Sequence, residues 1–503
     1  MSDQRTSRPD DSRLTVDGSQ NLTAMKAIFD HCEDIAFDEW TFGDRFEHNV
    51  FTVHCGTLVK DRNKNHLSST LLDASRSLAA NEQLTPEFIG HYFHNQGMTS
   101  QPFKLSNSLT ETADLVLEGF IALFFDGWNH SICYYTRGIE KRAVMESIGE
   151  PVVQGPREGT NESLSTNLGM IRQRVKTPKL KVEVITAGSS LKTKIAYLYL
   201  QDATDPELLL EFRSRIQGIE EYEVLGTSYV EDWIEDSSYS PFPQYRYTER
   251  TDNAASALLD GKILVLTDNS PMILICPSLF VDFFGTSEDY YVRTVFASLI
   301  RLLRLFAFFI ALVLPSLYIA LSTYHPELIP TVLLLTILDS REGIPFPAFF
   351  EALAMEVSFE LLREAGIRLP RPVGSAVSIV GALVIGQAAI TAQIASPIMV
   401  IIVALTGIAS FAIPHYDMAI ALRIVRFPLM IAAGILGGFG LMIGFLLILL
   451  HLTRLHTLGQ PYLSSLAPIK FRNFRDIFVR FPLRHLLVSP RNRKLMKIRQ
   501  KGS

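Results

Sequence analysis

No nucleotide-binding P-loop, HExxH, GxSxG or CxxC occurs in this chain. Those signatures hold a phosphate, a zinc ion, an activated serine or a redox pair, so no enzymatic chemistry is legible and no cofactor is expected. Cysteine is scarce: Cys32, Cys55, Cys133 and Cys276 stand singly in apolar surroundings. That pattern fits buried, reduced thiols and not a disulfide framework. The neighbouring pairs His31-Cys32 and His54-Cys55 match no zinc spacing, and on a strand His54 and Cys55 point to opposite faces. The opening MSDQRTSRPDDSRL has no apolar core, so it is not a secretory signal. The N-terminal half is expected to stay in the cytoplasm. No internal repeat of fixed period is found.

Charge is missing from three long stretches. Residues 305–326, 373–416 and 427–453 contain no Lys, Arg, Asp or Glu. About 20 apolar residues cross a bilayer as a helix, so these runs provide one, two and one crossings. The 373–416 run is expected to fold back at Ser396-Pro397, because proline breaks the helical ladder. Before residue 296 the composition is that of a soluble globular protein.

Net charge is −5, but unevenly spread. From Thr453 onward, 12 Lys and Arg face one acid, Asp476. A basic flank after a last span marks the cytoplasmic side and suits anionic lipid rather than nucleic acid. Arg293, Arg301 and Arg304 mark the same side before the first span. An even number of crossings follows.

The fold class expected is an α+β multidomain membrane protein. Residues 1–18 read as disordered, 19–148 as one cytoplasmic α/β subdomain and 149–163 as a Gly- and Pro-rich linker. Residues 164–290 read as a second α/β subdomain, 291–453 as an α-helical transmembrane domain and 454–503 as a basic cytoplasmic tail. IAFDEWTF and NVFTVHCGTLV read as strands, the latter alternating, with helical stretches to about Phe93. LVLEGFIALFFDG and HSICYYTRG form a hairpin near Asp126-Gly127. In the second subdomain LKVEVITAG and KTKIAYLYL are strands, TDPELLLEFRSRI has a proline in its first turn, and KILVLTDNSPMILICP closes a hairpin at Asp268-Asn269.

Charges return between the apolar runs. A helix over 346–364 places Glu356, Glu360 and Glu364 on one stripe, with Arg363 beside it. Each charge facing acyl chains costs about 2.5–3.5 kcal/mol or more, so the stripe must face water, protein or the interface. Two readings stay open. Glutamates from several copies could ring a cation path, or the helix could lie on the membrane surface. Parity suggests a re-entrant hairpin from LIPTVLLLTIL through this helix, or a fifth full span with one of the others re-entrant. Gly434 and Gly438, and Gly440 and Gly444, form GxxxG pairs suited to close helix packing. Gln387, Thr391 and Gln393 suit helix–helix hydrogen bonds, with the lining of a path as the alternative.

Further stretches carry a resemblance: EPVVQGPREG, NLGMIRQRVKTPKL, YTERTDNAASALLDGKILVLTDNSPMILICP, LDSREGIPFPAFFEALAMEVSFELLREAGIRLP, GQAAITAQIASPIMVIIVALTGIASFAIP and FPLMIAAGILGGFGL. Together they resemble the A subunit of the GerA-type spore germinant receptors. Thr251, Asn269 and Thr160 depart from the family pattern. The resemblance implies a spore inner-membrane receptor subunit, working with a permease-like B subunit and a lipoprotein C subunit. It also implies response to nutrients and a homo-oligomer that conducts cations, with no catalytic activity. On that reading Glu356 and Glu360 are pore-lining candidates, with Glu364 and Arg363 at the mouth. Arg157 and Glu158 are candidates for coupling between the subdomains. A secondary transporter and a non-conducting scaffold are the rival functions.

Overall fold

A computed structural model describes residues 13–42, 48–59, 103–136, 149–464 and 478–482, with single positions at 138, 147 and 466 and within 64–92. The expected helical stretch before Phe93 and the disordered start lie largely outside these residues. By internal contacts the chain forms two units. One holds residues 1–234 and 247–276, the other 235–246 and 277–491.

The first unit contains two five-stranded sheets. α1 (Gly18–Ile28) starts at an N-cap, Asp17, whose carboxylate accepts the Ser19 and Gln20 amides. β1 (Ile35–Phe42) and β2 (His48–Cys55) pair antiparallel with Ile35 opposite Cys55. β3 (Phe103–Ser106), α2 (Leu109–Leu117), β4 (Phe120–Phe125) and β5 (Ser131–Tyr135) follow. The sheet order is β1-β2-β4-β5-β3. β4 reads FIALFF without alternation because both its faces are covered. Phe120, Ala122 and Phe124 pack with Met25 of α1 and Val116 of α2. Ile121, Leu123 and Phe125 pack with Leu67, Leu71 and Ile89. The hairpin expected near Asp126-Gly127 is present, but Leu115–Leu117 end helix α2 instead of starting the strand.

In the second sheet α3 (Leu164–Arg174), β6 (Leu180–Ala187), β7 (Thr193–Leu200), α4 (Pro206–Ile216), α5 (Thr227–Ile234), β8 (Arg246–Thr248), α6 (Thr251–Leu259), β9 (Ile263–Thr267) and β10 (Ile273–Cys276) follow in order. Pro206 occupies the first turn of α4, where its missing N–H costs nothing. The β9–β10 turn is made with Asn269 at φ 65°, a left-handed conformation asparagine tolerates. Leu198, Leu264 and Ile275 pack with Ile171 of α3 and Leu258 of α6.

The two sheets are locked together. Arg172 of α3 donates to both oxygens of Asp34, at 2.8 and 2.7 Å, and both side chains are buried. Burial pulls the Arg172 guanidinium down, yet the Asp34 carboxylate outweighs it and holds it above its ordinary range. Burial pushes the neighbouring Cys55 thiol up to about 12, so it stays protonated. Backbone bonds from Glu33 and to His31 join Val182 of β6.

The second unit is helical: α7 (Thr294–Tyr324), α8 (Thr331–Ser340), α9 (Ala348–Arg368), α10 (Arg371–Thr391), α11 (Pro397–Phe411) and α12 (Tyr416–Arg454). The turn expected at Ser396-Pro397 is there, with Ser396 capping α11. α12 is not one helix. Gly437 has φ 61° and ψ −138°, conformations nearly reserved for glycine. A straight helix would put residues 429 and 444 about 22 Å apart. Here a Cβ on Gly444 would lie 2.6 Å from Leu429 Cδ1, and one on Gly440 would lie 2.0 Å from the Ala432 carbonyl oxygen. Residues 416–436 and 438–454 therefore form a helical hairpin. The Tyr324 hydroxyl donates to the freed carbonyls of Gly434 and Ile435 at 2.7 and 3.0 Å.

Contacts fix the direction of each helix. One end of the bundle collects Phe284, Phe308, Met418, Leu422, Leu452 and Leu455; the other collects Ile319, Ala348, Ala395, Met399, Met430 and Ala433. α7, α10 and 416–436 run from the first end to the second, and α9, α11 and 438–454 return. The described residues thus make six helical passages, and the last ends where the first began. The 427–453 run, expected as one span, is bent in the middle. α9 runs between the two ends of the bundle, packed along 416–436.

Candidate functional site

The six passages bring the acidic stripe of α9 against 416–436. The two helices are antiparallel, with Phe349 against Gly434 at one end and Glu360 against Arg423 lower down. Three carboxylates face inward in steps. Glu351 accepts Arg341 Nε at 3.1 Å and the Ser396 amide at 3.0 Å. Glu356 accepts Arg426 Nη1 at 2.6 Å, and the two side chains are 1% and 2% exposed. Glu360 accepts Arg423 Nη1 at 3.1 Å and a bond from Arg363. The Arg363 guanidinium also sits 5.7 Å from the Phe411 ring centre.

The expected residues thus fall into two groups. Glu356, Glu360 and Arg363 come together inside the chain. Glu364 lies at the outer end of the stripe, 58% exposed, paired with Arg368 at 2.6 Å. Burying an unpaired charge costs several kcal/mol, which explains why an arginine answers every inner glutamate. The answer is incomplete. Glu356 Oε1, Arg426 Nε and Nη2, and Arg363 Nε have no hydrogen-bond partner among the described residues. Buried polar atoms nearly always find one, so this site retains unmet capacity for water.

The glycine pairs lie on the hairpin. Gly434 faces Phe349, Gly438 faces His325, and Gly440 and Gly444 face back onto Ala432 and Leu429. Glu158 pairs with Arg174 at 3.2 Å and Gly159 bridges Arg250, so this stretch lies against the second sheet's layer; Arg157 precedes it. Among the described residues no cluster of His, Cys, Asp and Glu could hold a metal ion.

Arg423, Arg426, Arg341 and Ser396 were not anticipated as partners of the stripe. A signal existed: Asp417, Arg423 and Arg426 are the charges between two uncharged runs. Arginines three apart on one helix can meet glutamates four apart on an antiparallel neighbour.

A family model, described as Bacillus/Clostridium GerA spore germination protein, matches residues 23–492. The chain belongs to the GerA spore germination protein family. Within it, this GerA-family chain is 41% identical over 474 residues to the membrane protein YfkQ of Bacillus subtilis (strain 168), covering 94% of this chain and 90% of that one. It is 40% identical to spore germination protein KA of the same organism, covering 92% and 84%. It is 33% identical to spore germination protein B1, also of B. subtilis, covering 97% and 100%. The crystal structure of the N-terminal domain of the A subunit of the Bacillus megaterium spore germinant receptor GerK3 aligns with 54% of this chain and 98% of its own. The identity there is 26% and the TM-score 0.42. In this GerA-family chain two helices, Thr294–Tyr324 and Tyr416–Arg454, are long and apolar enough to cross a membrane, the second counted across its break at Gly437.

Proposed function

We propose that this protein is the A-type subunit of a nutrient-responsive spore germinant receptor, spanning the spore inner membrane with both ends cytoplasmic. It works with a permease-like B subunit and a lipoprotein C subunit. Several copies assemble around a conduit for cations that starts germination. The family membership supports the receptor role. The helices returning to their starting end support the even number of crossings.

The observation that carries the conduit is the inner charge ladder. A helical unit otherwise so apolar has no structural need for Glu356, Glu360, Arg363, Arg423 and Arg426. Well-packed hydrophobic residues in place of a buried ion pair are often neutral or stabilising. Charges kept at that depth mark ion or proton pathways more often than packing. In the present conformation Arg423 and Arg426 neutralise the carboxylates, so conduction requires α9 and 416–436 to part. Glu364 then stands at the mouth. The linker with Arg157 and Glu158, lying against α3, carries movement between the soluble subdomains.

A second reading has its own support. Glu356 is enclosed within a single chain, as a purely structural pair in a non-conducting scaffold would be. Cation flux into liposomes holding the assembled receptor separates the two. The conduit reading expects nutrient-dependent flux that falls about ten-fold when Glu356 and Arg426 are both replaced by Met with folding intact. No flux from the native assembly supports the scaffold, and uptake of the nutrient itself points to a transporter.

A further inference from the structure

Residues 218–236 hold Glu220, Glu221, Glu223, Glu231, Asp232, Glu235 and Asp236, and no Lys or Arg. Four of these acids have work inside the fold. Glu223 accepts the amides of Ser189, Ser190 and Leu191 at 2.9–3.0 Å. Glu231 accepts the Tyr247 hydroxyl, Glu235 the Gln244 amide and Asp236 the Leu458 amide. Glu220, Glu221 and Asp232 are exposed, and no described residue pairs with them.

Aromatic rings lie among these three acids. Tyr222 is 54% exposed, and its ring centre is 4.6 Å from that of Trp233. Tyr229, one helical turn before Trp233 on α5, is exposed as well. The Trp233 indole N–H donates to the Arg215 carbonyl at 3.0 Å, so the ring is held in place with its polar atom satisfied. Exposed Tyr and Trp with anchored polar atoms are what protein interfaces use, and their faces attract cations.

We propose that this acidic aromatic ledge is the docking surface for the chain's own C-terminal segment, 491–501. That segment carries Arg491, Arg493, Lys494, Lys497, Arg499 and Lys501, with Leu495, Met496 and Ile498 between them and no acid. Cationic heads meet Glu220, Glu221, Asp232 and the ring faces; the apolar side chains cover the tyrosines. Charge complementarity selects the chain's own tail: six cations and no acid in 491–501 answer the three unpaired acids, and the tail is tethered to the same molecule eleven residues earlier at Arg480, whose guanidinium donates to the Tyr290 carbonyl at 3.1 Å. Docking withholds its positive charge from the membrane surface and ties the last segment of the chain to the second soluble sheet.

Zero-length carbodiimide coupling on the full chain in neutral lipid vesicles tests this. The expected result is amide links from Lys494, Lys497 or Lys501 to Glu220, Glu221 or Asp232, in a product of monomer mass. The links are expected to vanish in 1 M NaCl, where the screening length is about 3 Å. They are expected to drop about five-fold in Tyr222→Ala, which leaves every carboxylate in place and removes one exposed ring. Tail lysines that never reach the ledge overturn the proposal. So do links confined to products of dimer mass. A third contradicting outcome is a tail that phosphatidylglycerol vesicles protect while neutral vesicles yield no link.

Discussion

Arg426 and Glu356 show most plainly how much one side chain depends on another. Each is nearly sealed from solvent, so neither charge is tolerable alone. Replacing Arg426 by Met leaves a buried carboxylate uncompensated and is expected to cost about 3–5 kcal/mol, read as a fall in the thermal midpoint of the purified protein. Replacing both by Met is expected to recover most of that loss. Asp289, in a short 3-10 turn just before α7, gives a pH-dependent counterpart outside the long helices. It accepts Arg301 Nε and Arg304 Nη1, each at 2.9 Å. Burial pushes its carboxyl up, but the two arginines outweigh burial and hold it below the usual carboxylate range. A lowered folded pKa stabilises above the unfolded value of about 3.9 and is lost as pH falls through the folded value. Thermal midpoints are therefore expected to fall between about pH 5 and pH 3, and less steeply in Asp289→Asn. Legibility at this scale was partial. The period of 3.6 put Glu356 and Glu360 on one stripe from sequence alone. Their arginine partners lie 63 and 70 residues away, where periodicity has no reach.

Among elements, local rules described the strands of the first unit well and the helical hairpin badly. β6, β7, β9 and β10 follow apolar runs bounded by turn residues, and α4 follows an Asp cap with proline in the first turn. The stretch 346–364 was expected as a helix, and the helix runs Ala348–Arg368. Gly437 was invisible because five glycines fall between 434 and 444, and two of the pairs fit a GxxxG stripe. Only the contacts of Gly440 and Gly444 reveal a reversal. A Cβ on Gly437 would meet Tyr324 Cβ at 2.7 Å, besides the positive φ. Gly437→Ala is expected to destabilise by more than about 2 kcal/mol in thermal unfolding. Tyr324→Phe, which removes only the donor to two carbonyls, is expected to cost about 0.5–1.5 kcal/mol.

At the scale of the whole molecule, the contrast between a mixed α/β unit and an apolar helical unit was evident from where charge disappears. The insertion of 235–246 beside 451–462 was not, because it rests on pairings such as Ser240 with His451 that join distant parts of the chain. Six passages place residues 293 and 456 at one end of the bundle. Single cysteines at those two positions are expected to react with an impermeant thiol reagent from the same side of sealed vesicles, and a cysteine at residue 328 from the other. Membership of the GerA family and the inner ladder meet in one claim: α9 and 416–436 are held together inside each chain by Glu356 and Arg426. Reversing these charges singly and together, and following the thermal midpoint, tests that claim most directly. The account predicts that Glu356→Arg and Arg426→Glu each lower the midpoint sharply and that the double reversal restores most of the loss. Strictly additive losses would contradict it.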